Sequence, residues 1–248
     1  MVTSTARFSF KHVLAALPIG APVSTVTLEA RGIPPYQASY LARHGWLMHL
    51  GRGVYMRAGD KLDRDACIAF LAQTIPELHV GGKTALAWRG VFHNIAFREH
   101  LSLWGGKPVR LPPWFTERFS CSYQHTGIFS PDLPLGFGLQ PTPNGREGVL
   151  VSVPERALLE MFSDVGKTLS LEDAANISES IHSLREPVLD TLLTHTTRIK
   201  VIRLLHKLAL DSGQPWAGLA LEHSKRVGGG KRWQVVTSSG ERIDLKRP

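Results

Sequence analysis

The sequence predicts an α+β chain with a small winged helix-turn-helix domain at its N-terminus and a larger mixed domain of helices and strands behind it. Between residues 8 and 57, two helices, a glycine-containing turn, a third helix and a hairpin follow one another. The remaining chain alternates short strands with amphipathic helices. With 248 residues, 43% of them hydrophobic, the chain is large enough for two domains with cores of their own.

The first helices follow from apolar spacing and from capping residues. "FSFKHVLAAL" at 8–17 predicts a first helix, and Ser24 or Thr25 is suited to cap a short second one. "GIPPY" then leads into a third helix over about 35–45, because proline suits the first turn of a helix. Apolar residues recur on one face of this third helix: Ala38, Leu41, Ala42 and Gly45.

The stretch "YLARHGWLMHLGRGVYMRAG", residues 40–59, predicts a hairpin directly behind the third helix. Strands at 46–50 and 54–57 turn at Gly-Arg-Gly, with Arg52 at the tip. Glycines suit this turn because it requires positive φ and close approach of the backbone. In this arrangement the third helix is expected to enter a major groove of DNA. The hairpin would be the wing, with Arg52 reaching phosphates or a minor groove.

The third helix is polar and aromatic on the side opposite its apolar face. Such side chains can read DNA directly: glutamine pairs with adenine and arginine with guanine, and tyrosine contacts phosphate or a thymine methyl group. An ordinary solvated helix face is the alternative. The predicted DNA-binding residues are Tyr36, Gln37, Ser39, Tyr40, Arg43, His44 and, in the wing, Arg52.

"AGDKLDRD" at 58–65 predicts the boundary between a DNA-binding domain at 1–62 and a second domain at 63–248. Helices are expected at "ACIAFLAQTI", "KTALAWRGVF", "PERALLEMF", "LSLEDAANISESI", "REPVLDTLLTHT" and "RIKVIRLLHKLALDSG". Strands are expected in "ELHVGG", "EHLSLWGG", "RFSCSYQHT" and "GVLVSV", with proline-rich loops between them, and the end from His223 onward is expected to form strands around glycine turns.

Basic charge is concentrated toward the ends of the chain. The net charge is +8, and residues 196–248 hold 11 Lys and Arg against 4 Asp and Glu, whereas residues 154–195 hold 3 against 8. This asymmetry favours a polyanionic partner, most simply nucleic acid. In "SKRVGGGKRW", a second polyanion contact and an exposed hairpin with passive charges are equally consistent with the residues. The four charges are Lys225, Arg226, Lys231 and Arg232.

The sequence contains no catalytic or metal-binding constellation. Cys67 and Cys121 are far apart and lack zinc spacing, which fits a reducing cytoplasm. "VGGKT" has Glu77 where a phosphate-binding loop requires glycine, so it predicts a close strand-to-helix turn instead. "DRD" predicts a linker followed by carboxylates in a first helical turn. No apolar run approaches the roughly 18 to 20 residues that cross a membrane. We therefore expect no enzyme activity, metal, cofactor or membrane association.

Four segments, in this order, resemble AbiEi-type antitoxins, the transcriptional regulators of type IV toxin–antitoxin systems. They are "GIPPYQASYLARHGWLMHLGRGVYMRAGD", "HVGGKTALAWRGVFHNI", "SVPERALLEMF" and "RIKVIRLLHKLALDSGQPWAGL". The resemblance implies a C-terminal antitoxin domain and repression of the protein's own operon through inverted repeats in promoter DNA. It also implies a role in phage defence, in which the protein counters a nucleotidyltransferase toxin without forming a stable complex with it.

Residue by residue, the resemblance carries over only to Gln37, Ser39, Tyr40 and Arg43 in the third helix and to Arg52 in the wing. The chain ends in "IDLKRP", whereas the family pattern closes on "TVP", so the resemblance assigns no role to the tail. Three alternatives stay open: a nucleic-acid enzyme with a cryptic nuclease-like C-terminal domain, an orphan regulator without a toxin, and a scaffold whose winged helix binds protein.

Overall fold

The computed structural model describes residues 10–91, 99–125, 127–142, 147–227, 233–236 and 242–245. The chain is α+β, as predicted, and it divides into two compact units. Unit 1 comprises Met1–Thr74 and Arg110–Phe119, and unit 2 comprises Ile75–Val109 and Ser120–Pro248.

Short strands and helices are interspersed along most of the chain. The N-terminal part contains α1 (Phe10–Ala15), β1 (Val23–Ser24), α2 (Thr25–Ala30), α3 (Pro35–Arg43), β2 (Leu47–Gly51), β3 (Val54–Arg57), α4 (Arg64–Ala72), β4 (His79–Val80) and α5 (Gly82–Trp88). The middle contains β5 (Leu101–Trp104), α6 (Pro113–Thr116), β6 (Cys121–Gln124), β7 (Leu139–Pro141), β8 (Leu150–Ser152) and α7 (Pro154–Asp164). The last part contains α8 (Leu171–Glu179), α9 (Glu186–His195), α10 (Ile199–Asp211), α11 (Ala217–Val227), β9 (Trp233–Val236) and β10 (Arg242–Leu245).

Unit 1 begins with the element order of a winged helix-turn-helix. Ser24 caps α2, because its hydroxyl accepts a hydrogen bond from the backbone N–H of Thr27 at 3.1 Å. Strands β1, β3 and β2 form a three-stranded antiparallel sheet in that order. The two-residue strand β1 is absent from the sequence prediction. The three helices and the sheet share one core: Leu14, Leu17, Val23, Leu28, Ile33, Ala38, Leu41, Leu47 and Tyr55.

Unit 1 continues beyond residue 62, the predicted end of the DNA-binding domain. Asp60 accepts a hydrogen bond from the N–H of Gly20 at 2.9 Å, and the N–H of Asp63 donates to the carbonyl of Gly20 at 2.9 Å. Asp63 then caps α4 through the N–H of Ala66 at 2.8 Å, and Asp65 follows in its first turn, as "DRD" predicted. These contacts tie the segment to unit 1, and the boundary at 62/63 stays a prediction.

Unit 2 is built on a mixed five-stranded sheet in the order β6-β5-β4-β8-β7. Strands β5 and β6 pair in parallel, as do β4 and β8, while β4 with β5 and β7 with β8 are antiparallel. Helix α7 packs against α5, α9 and α10, and α10 packs against α11. Strands β9 and β10 form a separate antiparallel pair. Strand β7 lies in a stretch predicted to be a proline-rich loop.

One prediction for the C-terminal region is wrong. Residues 223–227 were expected to belong to strands around glycine turns, but they form the last turns of helix α11. Leu221 is partly buried, and Ala220, His223 and Ser224 are buried, so the buried face of the helix extends to this point. No helix of the described residues is long and apolar enough to cross a membrane.

Candidate nucleic-acid interface

Helix α3 presents the predicted residues at the surface of unit 1. Ala38 and Leu41 are buried in the core, whereas Tyr36 is 77% exposed and Tyr40 is 52% exposed. The other predicted residues of α3 and its C-cap are exposed, except Gln37, which is half-buried: Ser39, Arg43 and His44. The helix thus turns a continuous polar and aromatic face to water, as its sequence predicted.

Several side chains on this face are held by contacts within unit 1. The ring of His44 stacks on Tyr40 with 3.9 Å between centroids, and His44 Nδ1 lies 2.8 Å from the Tyr40 carbonyl oxygen. Ser39 Oγ donates to the Pro35 carbonyl at 3.1 Å and lies 3.3 Å from the Tyr55 hydroxyl. The Ser39 hydroxyl therefore connects α3 to β3, in addition to its predicted place in the interface.

The wing turn is held from two sides, with Arg52 exposed between them. Gly53, with φ at +70°, accepts a hydrogen bond through its carbonyl from the N–H of Thr25 at 2.9 Å. On the other side, a Cβ built on Gly51 would lie 3.4 Å from Cδ1 of Trp114. The hydrogen bond at Gly53 and the Trp114 ring beside Gly51 therefore restrain the backbone on both sides of Arg52, whose side chain is exposed to solvent.

Trp114 belongs to the segment Arg110–Phe119, which leaves unit 2 after β5 and returns to it at β6. Its ring contacts Phe70 of α4 at 6.1 Å and Phe115 at 6.0 Å between centroids, both edge to face. Phe115 is fully buried. This segment, predicted to be part of a proline-rich loop, instead forms the short helix α6 behind the wing. Its apolar aromatic residues in "PPWFTERF" were the signal for a buried segment.

The end of the wing is anchored by a carboxylate. The Asp60 carboxylate accepts from the Gly20 N–H and, at 2.9 Å, from Arg57 Nη2 of β3. The hydrogen bond from Gly20, followed by that from Arg57, lowers the pKa of Asp60 below its ordinary value. Asp60 thus keeps its charge and holds β3 against the loop that precedes β1.

The predicted basic tail is only partly described. Lys225 and Arg226 are exposed in the last turn of α11, where the helix dipole stabilises positively charged side chains. Arg226 Nη2 lies 2.8 Å from Nδ1 of His223. Lys231 and Arg232 lie outside the described residues, so their position relative to α11 stays a prediction.

In unit 2 the structure forms a buried polar cluster that the sequence analysis missed. Glu160 is 1% exposed, and its carboxylate accepts four hydrogen bonds. The donors are His79 Nε2 at 3.0 Å, Arg156 Nε at 2.8 Å, Ser152 Oγ at 2.8 Å and the Gly82 N–H at 3.0 Å. Burial opposes the charge, but His79 and Arg156 outweigh burial and lower the pKa of Glu160 to about 2.

The same cluster explains the "VGGKT" stretch. The strand-to-helix turn at Gly81–Gly82 meets the Glu160 carboxylate, and a Cβ on Gly81 would overlap with its Oε2 atom. The glycines thus permit close packing of β4, α5 and α7, as predicted. The Arg156–Glu160 pair at i, i+4 in "PERALLEMF" was the available sequence signal.

Within the described part of the chain, no group of three or more His, Cys, Asp or Glu side chains is arranged to hold a metal ion. Cys67 is a buried free thiol, and Cys121 is a partly buried one. Burial raises the pKa of the Cys121 thiol.

Two family models together match nearly the whole chain. Residues 7–97 match the N-terminal domain of the AbiEi antitoxin transcriptional regulators, and residues 98–246 match the AbiEi antitoxin transcriptional regulators of type IV toxin–antitoxin systems. The chain belongs to the AbiEi antitoxin family. The two AbiEi family models meet at residues 97/98. This boundary differs from the predicted domain boundary at 62/63 and from the division between the two compact units. No curated protein matches the chain.

The fold of this AbiEi chain is also similar to a solved structure. The crystal structure of the RV2827C protein from Mycobacterium tuberculosis aligns with a TM-score of 0.58 at 15% sequence identity. The alignment covers 89% of this chain and 80% of that chain. At this identity the comparison concerns the fold alone.

Proposed function

We propose that unit 1 binds duplex DNA, with α3 in the major groove and the wing against the backbone, and that the protein thereby represses its own promoter. The observation that carries this proposal is the combination of an exposed polar face on α3 with an arginine held at the tip of a fixed wing. A helix face supplies base contacts, and a fixed basic turn supplies phosphate contacts. Inverted repeats in the promoter would serve as the operator.

Antitoxin activity is the second part of the proposal. Membership of the AbiEi family supports a nucleotidyltransferase toxin as the functional partner, countered in the cytoplasm without a stable complex or any catalytic step by this chain. Lys225 and Arg226, both exposed, offer cationic groups for a second polyanion or for an acidic surface of the toxin. Lys231 and Arg232 would extend this contact.

The test of DNA binding uses the purified full chain and two fluorescent duplexes. One carries the region upstream of the gene, and the other carries the same bases in shuffled order. We expect tighter binding to the upstream duplex by a factor of at least about 10³ at physiological salt, as is usual for sequence-specific proteins. Equal binding to both duplexes would exclude an operator. No binding to either duplex would mean that α3 and the wing bind a protein partner instead of DNA.

The antitoxin part is tested separately in cells. The neighbouring gene is expressed from an inducible promoter with and without this chain, and growth is measured. We expect growth arrest that this chain relieves. If the neighbouring gene is not toxic, the protein is an orphan regulator, whatever its affinity for DNA.

A further inference from the structure

A cavity of about 350 Å³ opens in unit 2 beside the buried polar cluster. Its lining includes Trp104, His79, Glu160 and Arg156 together with the apolar residues Phe129 and Leu133. Its volume is at the lower end of the range for small-molecule sites, which suits a ligand of modest size. Such mixed polar and apolar walls can orient a ligand with one polar end.

Trp104 carries a buried donor that nothing in the described part of the chain accepts. The residue is 5% exposed, and its Nε1 atom has no hydrogen-bond partner among the described residues. Leaving such a donor unpaired in the interior destabilises the fold. The indole lies close against Gly81, where a side chain would not fit, because a Cβ there would come within 2.7 Å of Trp104 Cδ1. An acceptor from outside the chain would remove this cost.

Arg156 supplies a second donor whose position is already fixed. Its Nε bonds to Glu160, its Nη1 donates to the Phe137 carbonyl at 2.7 Å, and its guanidinium lies 5.2 Å from the Phe129 ring centroid. Nη2 makes no hydrogen bond to the described residues. The side chain has thus lost its conformational freedom before any ligand arrives, which favours binding.

The two acidic residues that line the cavity, Glu160 and Glu77, leave Trp104 Nε1 and Arg156 Nη2 available to a ligand. A carboxylate has about four acceptor positions, and the four hydrogen bonds to Glu160 fill them. His79 uses both ring nitrogens, since Nδ1 lies 2.7 Å from the Glu77 carbonyl oxygen. Glu77 itself is exposed, so water and salt screen its charge.

From these contacts we infer that the cavity is a binding site for a small organic anion whose carboxylate or phosphate group accepts hydrogen bonds from Trp104 Nε1 and Arg156 Nη2. The apolar part of the ligand would lie against Phe129 and Leu133. This site is independent of the proposed DNA interface in unit 1 and does not rest on it.

The experiment titrates the full chain with benzoate, with phenyl phosphate and with neutral benzamide, which share one ring and differ in the head group. The indole N–H resonance of Trp104, assigned by its loss in Trp104→Phe, is followed by ¹H–¹⁵N NMR, and affinities are measured by calorimetry. We expect one or both anions to shift this resonance and benzamide to leave it unchanged. Benzoate alone would identify a carboxylate head, and phenyl phosphate alone a phosphate head.

Trp104→Phe keeps the buried ring and removes the donor, so we expect binding to weaken at least about tenfold, the contribution of one hydrogen bond to a charged group. Trp88→Phe is the matched control, because Trp88 Nε1 is already bonded to Glu99 at 2.8 Å. It should bind like the native chain. Two results overturn the inference: no shift of the Trp104 resonance at about 10 mM anion, where even a millimolar Kd would register, or binding of benzamide equal to that of the anions. The first would leave an ordered water as the partner of Trp104.

Discussion

Arg43 is the residue on which sequence discrimination should depend most directly. It is exposed at the end of α3, and its Nε lies 3.4 Å from the Ser39 carbonyl oxygen, a weak contact that DNA can replace. We expect Arg43→Ala to weaken operator binding by about 1–3 kcal/mol and to relax preference at one base position. Competition with operators mutated one base at a time measures both effects.

Arg31→Ala is the matched control for Arg43, since it removes the same charge from an exposed position just after α2. It should preserve base preference. If Arg43→Ala instead weakens operator and shuffled DNA by the same factor, Arg43 contacts phosphate rather than a base.

Arg52 should contribute to DNA binding in a different way. A side chain on a turn can reach the DNA, but it is not held rigidly enough to make two hydrogen bonds to one base. We expect Arg52→Ala to weaken binding to all duplexes alike and to reduce the slope of log K against log salt by about 1. Lys207→Ala, which removes an exposed charge from α10 in unit 2, should leave the slope unchanged. An unaltered slope for Arg52→Ala would mean that the wing does not reach the backbone.

Glu160 gives unit 2 a pH dependence whose sign follows from its pKa. Its pKa is about 2 in the folded chain against an ordinary value of 4.5. The charged carboxylate therefore stabilises the fold above pH 4.5, and that contribution is lost as the pH falls toward 2, at about 1.4 kcal/mol per pH unit. We expect the stability measured by urea unfolding to fall from pH 5 to pH 3 in the native chain, approaching this slope at the lower pH, and to fall less steeply in Glu160→Gln.

At pH 6 the same Glu160→Gln variant should be less stable than the native chain by several kcal/mol, on the order of 3, because Arg156 and His79 lose their buried partner. Asp211→Asn, in an exposed pair with Lys207, is the control and should change little. Equal slopes in the native chain and Glu160→Gln would mean that folding does not lower the pKa of Glu160.

At the scale of secondary-structure elements, the sequence predicted the features that depend on residues close together in the chain. The apolar periodicity of α3, the Ser24 cap and the glycine turn of the wing each depend on neighbouring residues, and each is present in the structure. Strand β1 was missed because two residues carry no periodicity and form a strand only by pairing with β3. Helix α6 was missed for a similar reason: its place is set by packing of Trp114 on Gly51, 63 residues earlier in the chain.

That packing leads to a prediction for the wing as an element. Removing the Trp114 ring leaves Gly51 without support, so the wing turn becomes mobile and presents Arg52 less often. We expect Trp114→Ala to weaken binding to all duplexes about tenfold, or about 1.4 kcal/mol, at a temperature where circular dichroism shows the chain fully folded. Trp88→Ala, which removes an indole from unit 2, should reduce stability without changing DNA affinity. DNA affinity equal to that of the native chain would show that the wing does not depend on Trp114.

At the scale of the whole molecule, the two proposed activities should be separable only along the boundaries of the compact units. A fragment that begins at residue 66 keeps Phe70, Trp114 and Phe115 but loses the rest of unit 1, including the wing turn next to which Trp114 lies. A better design begins at Ile75 and replaces Arg110–Phe119 with a Gly-Ser linker between β5 and β6. We expect this fragment to fold, to lose operator binding and to protect cells from the toxin.

The measurements are thermal unfolding, operator binding and growth of toxin-expressing cells, with the fragment at 66–248 as the comparison. The 66–248 fragment should be less stable and less soluble than the redesigned fragment, because it exposes aromatic surface. A redesigned fragment that folds but gives no protection would show that unit 2 is not sufficient as the antitoxin.

The position of Trp114 also constrains the order of events during synthesis. A growing chain that has released only Met1–Thr74 lacks Arg110–Phe119, and between the two lies a stretch that contributes strands β4 and β5 to the other unit. The chain between the wing and Trp114 has to close into a long loop before Trp114 can pack on the wing. Contacts between such distant residues form late in folding. A nascent chain stalled before residue 110 would therefore leave the ribosome's exit tunnel with an unsupported wing. Under the proposed repression of the operon, full repression would then require translation well past the N-terminal third of the message, and truncated products would bind the operator more weakly than the full chain.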